Sequence, residues 1–231
     1  MRLGVLLPTF RSSPRDALAA ADEAARVGLD GVFAYDHLWP LGSPERPALA
    51  PFEVLSAVAE RQPGLVVGPL VARIGLVEDD VLLGQCRALR TVAGDRVVIA
   101  LGTGDHLSRE ENLAYGLRYL LPAERRASLR DVAKALVDEG AEVWIGDGAP
   151  ATRVIAGALG CTLNLWDAAP AAVAEAAAHG VVCWAGPTPT REGAVDEVAA
   201  AALVDALAAA GATWAVFAPQ MPIALLAALR G

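Results

Sequence analysis

The sequence predicts an α/β fold of the (β/α)8 TIM-barrel type, a single domain over residues 1–231 with short loops. Three observations predict it. Short apolar runs alternate with alanine-rich helical patterns, and the alternation repeats eight times. The runs are continuously apolar, as strands covered on both faces require. Eight units in 231 residues give about 29 residues each, which suits a compact barrel. Alternation alone does not establish closure, so an open doubly wound sheet is the second fold it permits.

The first strand is "RLGVLLP" (2–8). Ser13 then stands as a helix cap, with Pro14 at the first helical position, Asp16 at the third and Gly28 just past the end. "GVFAYD" (31–36) and "LVVGPLVA" (65–72) are the second and third strands. The helix after the third places Leu82, Cys86, Leu89 and Ala93 on one face, the spacing of a stripe that packs on a sheet. The fourth strand is "RVVIALG" (96–102); beyond it Ser108 and Glu111 have capping-box spacing, so a short helix starts there. A stripe of Leu129, Val132 and Leu136 leads to the fifth strand, "AEVWIG" (141–146), and to a helix starting near Pro150. The sixth strand, "CTLNLW" (161–166), is followed by a helix ending at His179, where a cationic side chain meets the negative end of the dipole. "VVCWA" (181–185) and "TWAVFA" (213–218) complete the set.

Composition excludes several classes of partner. A net charge of −8 and no lysine-arginine cluster oppose binding to phosphate backbones or anionic lipid, so neither nucleic acid nor membrane is expected. The opening "MRLGVLLPTF" is too short for a signal peptide, and no run reads as a membrane span. Cys86, Cys161 and Cys183 are widely spaced within apolar segments, which suits buried free thiols and a cytoplasmic location. The 55% hydrophobic content, with an alanine-rich helical surface, leads us to expect a homodimer.

In a barrel, residues where strands end form the catalytic mouth. Thr9, Asp36, His37, Trp39, Arg73, Thr103, Asp105, His106, Asp147, Gly148, Asn164, Trp166, Asp167, Trp184 and Thr188 all fall there. A histidine side chain can change protonation near neutral pH, so His37 can take a proton from a substrate hydroxyl, its tautomer fixed by a carboxylate or carbonyl. Equally, Asp36 and His37 can simply satisfy loop backbone groups, and neighbours on a strand point to opposite sides. In "GTGDHLSREENLAYG" (102–116), Gly102 and Gly104 allow close approach to a flat ligand and Asp105 can give or take a proton, while the Ser108–Glu111 cap accounts for part of the polarity. In "WIGDGAPATRVIAG" (144–157), backbone at Gly148 and Ala149 before a helix offers an anion site for a cofactor phosphate, although a plain strand-to-helix turn needs glycines too. No metal site is expected, because no His-x-His appears and three histidines are too few for the usual ligand sets.

Together, "GVLLPTF", "VGLDGVFAYDHLWP", "GLVVGPLVARIG", "RVVIALGTGDHLSREENLAYG" and "VWIGDGAP" resemble the bacterial luciferase-like superfamily of flavin- and deazaflavin-dependent oxidoreductases and monooxygenases. The resemblance implies a small-molecule substrate, a homodimer, and F420 (the 8-hydroxy-5-deazaflavin coenzyme) or FMN as cofactor. It implies that His37, with Asp36, is the base taking an alcohol proton, and that Asp105 is the acid at the ring's N1 edge. Thr9, Trp39, Thr103, Gly104, Gly148 and Ala149 would surround the cofactor. A cis peptide between Leu70 and Val71 would press on the ring. Familiar members are longer, with insertions that cover the site, and have Glu where Asp105 stands. Members that bind sugar phosphate use basic residues in those later regions, whereas this chain's only lysine is Lys134, so a sugar phosphate is a poor substrate. A barrel that binds flavin without turnover, having lost its lid, is the other reading.

Overall fold

The computed structural model describes residues 1–40, 42–104 and 106–230. Its strands are β1 (Arg2–Leu6), β2 (Gly31–Ala34), β3 (Val66–Pro69), β4 (Ala72–Arg73), β5 (Val98–Gly102), β6 (Glu142–Gly146), β7 (Thr162–Trp166), β8 (Val182–Gly186), β9 (Thr190–Arg191), β10 (Ala194–Val195) and β11 (Trp214–Phe217). Apart from the β9–β10 hairpin they form one sheet in the order β3-β2-β1-β11-β8-β7-β6-β5-β4, with every pairing parallel.

The third predicted run supplies both ends of that order. It is broken into β3 and β4 around Leu70–Val71, whose peptide is cis, as the resemblance implies. β3 pairs with β2 and β4 with β5. A parallel bridge joins Val67 to Val97, and the Val67 N–H donates to the Arg96 carbonyl at 2.9 Å. The sheet therefore returns on itself, and the barrel prevails over the open sheet.

The helices are α1 (Arg15–Arg26), α2 (Pro51–Arg61), α3 (Asp79–Ala93), α4 (Ser108–Ala114), α5 (Pro122–Asp138), α6 (Pro150–Leu159), α7 (Pro170–Ala177), α8 (Glu197–Ala209) and α9 (Ile223–Ala228). α1 begins one residue later than expected: Pro14 occupies the cap, and Ser13 Oγ accepts from the Arg15 N–H at 3.3 Å. Gly28 has φ +78°, a left-handed turn that a side chain would strain.

Strand alternation separates two apolar layers. Val32, Ile99, Ile145, Leu163 and Trp184 face the helices, where the predicted stripes of α3 and α5 meet them. Leu6, Phe33, Val98, Trp144, Cys183 and Trp214 fill the barrel interior. Phe33 lies against Trp144 and Trp214 with ring centroids 5.4 and 5.5 Å away. These aromatics make the lower barrel a packed core. At Gly68 a Cβ would stand 2.0 Å from the Val98 carbonyl oxygen, so glycine there lets the β3 backbone approach β5.

All three cysteines are free and buried, as expected. Burial pushes the thiols of Cys86 and Cys161 up to about 12 and about 11, and that of Cys183 higher still. A thiol whose folded pKa is raised keeps its proton while the unfolded chain ionises. The stabilisation is therefore complete below about pH 9, the ordinary thiol value, and is lost as pH rises through the folded values. The urea midpoint should fall steadily between pH 9 and pH 11, and an unchanged midpoint across that range would refute this account. Among the described residues no helix is long and apolar enough to cross a membrane.

Candidate active site

β2 sets the geometry. Phe33 and Tyr35 face the barrel interior while Val32 and Ala34 face the helices, so the same alternation carries His37 to the inner side and Asp36 to the outer one. Asp36 is accordingly no partner of His37 in a hydrogen bond. Its Oδ2 accepts the backbone N–H of Arg73 at 2.9 Å and so ties β2 to β4. Burial raises the Asp36 carboxyl above the usual carboxylate range, opposed by that N–H and by the Arg73 and His37 charges.

The carboxylate that serves His37 is Glu111. His37 Nδ1 lies 2.8 Å from Glu111 Oε1, with the imidazole about a fifth exposed and the carboxylate fully enclosed. Arg73 Nη2 lies 2.9 Å from Glu111 Oε2, and Arg73 is itself 4% exposed. That contact is one of opposite charges rather than a directed hydrogen bond, since Arg73 Nε and Nη2 have no hydrogen-bond acceptor; Nη1 donates to the Ser108 carbonyl at 3.3 Å. A carboxylate only accepts, so Nδ1 carries the imidazole proton and Nε2, across the ring, has the lone pair.

Glu111 reaches this position because α4 is turned opposite to an ordinary surface helix. Ser108, Glu111 and Asn112 are buried, whereas Leu107, Leu113 and Tyr115 are at least half exposed. Asn112 Nδ2 donates to the Gly75 carbonyl at 2.8 Å, a second polar anchor. The expected Ser108–Glu111 capping box does not form: Leu107 is the N-cap and makes no side-chain cap bond. Glu111 and Arg73 are thus the site residues that sequence reasoning missed as a pair. The available signal was a polar i, i+3, i+4 stripe in a helix directly after a strand.

An aromatic group surrounds the imidazole. Phe10 and Tyr35 stack at 5.4 Å, and each ring centre lies 6.3–6.4 Å from that of His37. Trp166, half exposed at the end of β7, meets Tyr35 edge-on at 6.3 Å. Burial pushes the Tyr35 phenol up to about 12, so it stays neutral at physiological pH.

At the ends of β5 and β6 the chain carries glycines. A Cβ at Gly102 would stand 2.4 Å from Val71 Cγ2, and one at Gly146 would stand 3.7 Å from Val71 Cγ1. Val71 therefore lies over strand ends without side chains, a surface that fits a flat ring system. The Thr9 and Thr188 hydroxyls, just past β1 and β8, are buried and unpartnered. Thr103 Oγ1 makes only a long 3.5 Å contact to the Gly104 carbonyl. Arg125 Nη1 clamps this loop through the Thr103 and Gly104 carbonyls at 2.6 and 2.9 Å. At the start of α6 the Thr152 hydroxyl donates to the Ala149 carbonyl at 2.7 Å, and Asp147 pairs with Arg153 at 2.6 Å.

The other sequence-predicted residues have different surroundings where they are described. Trp39 is buried and packs on Tyr115 at 5.8 Å. Trp184 faces the helix layer, bonding the Ala168 carbonyl and packing on Phe217. Asn164 is inside the barrel, 3.3 Å from Cys183 Sγ. Asp105 lies outside the described residues. Two short elements occupy the rim where longer coverings were expected to be missing: α4 after β5, and the β9–β10 hairpin after β8.

No protein-family model matches the sequence. An F420-dependent glucose-6-phosphate dehydrogenase of Amycolatopsis mediterranei (strain U-32) is 27% identical over 148 residues, covering 64% of this chain and 43% of that protein. The chain thus spans less than half the length of this curated relative. An F420-dependent secondary alcohol dehydrogenase, solved with an F420-acetone adduct, superposes with a TM-score of 0.80 at 13% identity over 99% of this chain and 96% of its own. The oxygenating constituent of 3,6-diketocamphane monooxygenase from Pseudomonas putida, solved with FMN, gives a TM-score of 0.63 at 17% identity over 88% and 71%. The fold of this chain is that of the F420- and FMN-dependent oxidoreductases of the luciferase-like superfamily, as its strand-end motifs imply.

Proposed function

We propose that the protein is an F420-dependent oxidoreductase that moves a hydride between a small organic alcohol or carbonyl compound and the deazaflavin at the barrel mouth. One observation carries this reading: His37 Nδ1 is held by the enclosed Glu111 at 2.8 Å, which leaves Nε2 to serve as the base. When bound, the deazaflavin would supply the hydride acceptor. His37 would take the substrate's hydroxyl proton, Glu111 would fix its tautomer, and Arg73 would balance the Glu111 charge. Backbone at Gly104, Gly148 and Ala149, with Thr103, would hold the cofactor, and Asp105 follows in sequence as the acid. FMN is the alternative cofactor and would make the protein a monooxygenase.

The test is an absorbance titration of the purified protein with F420 and with FMN. Saturable binding of F420 at micromolar concentration, with FMN at least tenfold weaker, is expected. The reverse order overturns the cofactor assignment, and binding of neither overturns the proposal. The reading includes a homodimer, consistent with the exposed Leu107, Leu113, Tyr115 and Leu121 along one segment. Light scattering should then report twice the 23.8 kDa chain mass, and the single-chain mass would refute the dimer.

A further inference from the structure

On the reading that the loop after β5 holds the deazaflavin, we infer that Arg125 is a positioning residue that orients this loop and places an uncompensated cation behind it, so that the site favours the reduced cofactor. Arg125 stands in the first turn of α5, its N–H donating to the Leu121 carbonyl at 3.0 Å. A cation there opposes the helix dipole, so α5 itself does not account for it. Nη1 instead donates to the Thr103 and Gly104 carbonyls at 2.6 and 2.9 Å, and the guanidinium lies 4.6 Å over the Tyr119 ring. Gly104 has φ +64°, a left-handed conformation that glycine adopts without strain. The Thr103–Gly104 peptide is trans, so the carbonyl given to Arg125 sends the Gly104 N–H the opposite way, away from α5. That N–H has no partner among the described residues.

Charge balance distinguishes Arg125 from its neighbours. Arg73 faces Glu111 at 2.9 Å, Arg118 pairs with Glu124 at 2.8 Å and Arg153 with Asp147 at 2.6 Å. Arg125 is in no ion pair among the described residues, and its buried Nε has no acceptor. Such a cation matters to a cofactor whose charge changes. Hydride transfer breaks a substrate C–H bond and forms a C–H bond on the deazaflavin with the same electron pair, so the ring gains one negative charge until a proton neutralises it. The substrate's hydroxyl proton goes to His37. A fixed cation, acting through loop dipoles that are already oriented, stabilises charge of that sign where it develops. Arg125 therefore raises the midpoint potential of the bound cofactor.

The experiment compares the F420-loaded parent with Arg125→Gln, which keeps a donor for the loop but not the charge, and with Arg125→Lys, which keeps the charge. Absorbance titration gives the Kd of oxidised F420, and anaerobic spectropotentiometry gives the midpoint potential of the bound cofactor. Arg125→Gln should weaken reduced F420 about tenfold more than oxidised F420, the scale of a single charge at a partly buried site. For a two-electron couple that lowers the midpoint potential by about 30 mV. Arg125→Lys should keep most of the parent potential. Should Arg125→Gln not fold, Arg125→Met supplies the uncharged form over Tyr119. A potential unmoved in the uncharged variant, with both forms of F420 weakened equally, would mean that Arg125 only shapes the loop. That outcome overturns the inference and leaves the cofactor reading intact. A potential as low in Arg125→Lys as in Arg125→Gln overturns the part assigned to charge. Failure of the parent to bind F420 overturns the cofactor reading and this inference with it.

Discussion

Replacing His37 with alanine should lower turnover by about 10²–10⁴-fold, the usual contribution of a positioned general base, while the Kd for F420 changes little. The ring is proposed to rest on Val71 and glycine backbone, and none of those contacts runs through the imidazole. The fold should survive, because Glu111 keeps its charge partner in Arg73 when the imidazole is gone. Steady-state kinetics, with cofactor titration and a urea unfolding curve on the same preparation, check all three parts. A mutant that binds F420 and turns over like the parent would show that His37 is structural and would return the binding barrel to first place.

The second large effect belongs to Glu111 and separates stability from catalysis. Glu111→Ala leaves the Arg73 guanidinium, 4% exposed, without its ion-pair partner, and breaking one partner of a buried pair typically costs about 3–5 kcal/mol. Turnover should fall as well, because the imidazole loses the acceptor that fixes its tautomer. The double replacement Arg73→Met with Glu111→Leu removes both charges, and apolar substitutes of similar volume are often neutral in such sites. Its urea midpoint should return most of the way to the parent value while kcat stays low. Recovery of both together would mean that Glu111 only holds the fold and does not act through His37.

The barrel was legible because strands covered on both faces leave a run of apolar residues that solvent-facing strands do not. Strand starts were placed within about two residues: 65 against Val66, 96 against Val98, 141 against Glu142, 213 against Trp214. The break in the third run was invisible to hydropathy, since Leu70 and Val71 are as apolar as their neighbours. His37 was found because a histidine at the end of an apolar strand is conspicuous. Its partner was not. Glu111 had a sufficient local explanation as a capping residue, and only the tertiary fold shows that α4 turns that side inward. Asp36 was overvalued for the opposite reason: it adjoins His37 in sequence, and the period of two sends it to the far face of the sheet.

The inverted α4 also has thermal consequences. Burial of apolar surface, which holds α3 and α5 to the barrel, weakens on cooling. α4 is fastened instead by the Glu111–Arg73 ion pair and by the Asn112 bond to the Gly75 carbonyl. The desolvation penalty of such a charge pair falls as temperature rises. The rim that orients the proton acceptor and the layer beneath it therefore both loosen on cooling, by separate causes: the ion pair because its charges become costlier to strip of water, the helix layer because apolar burial is worth less.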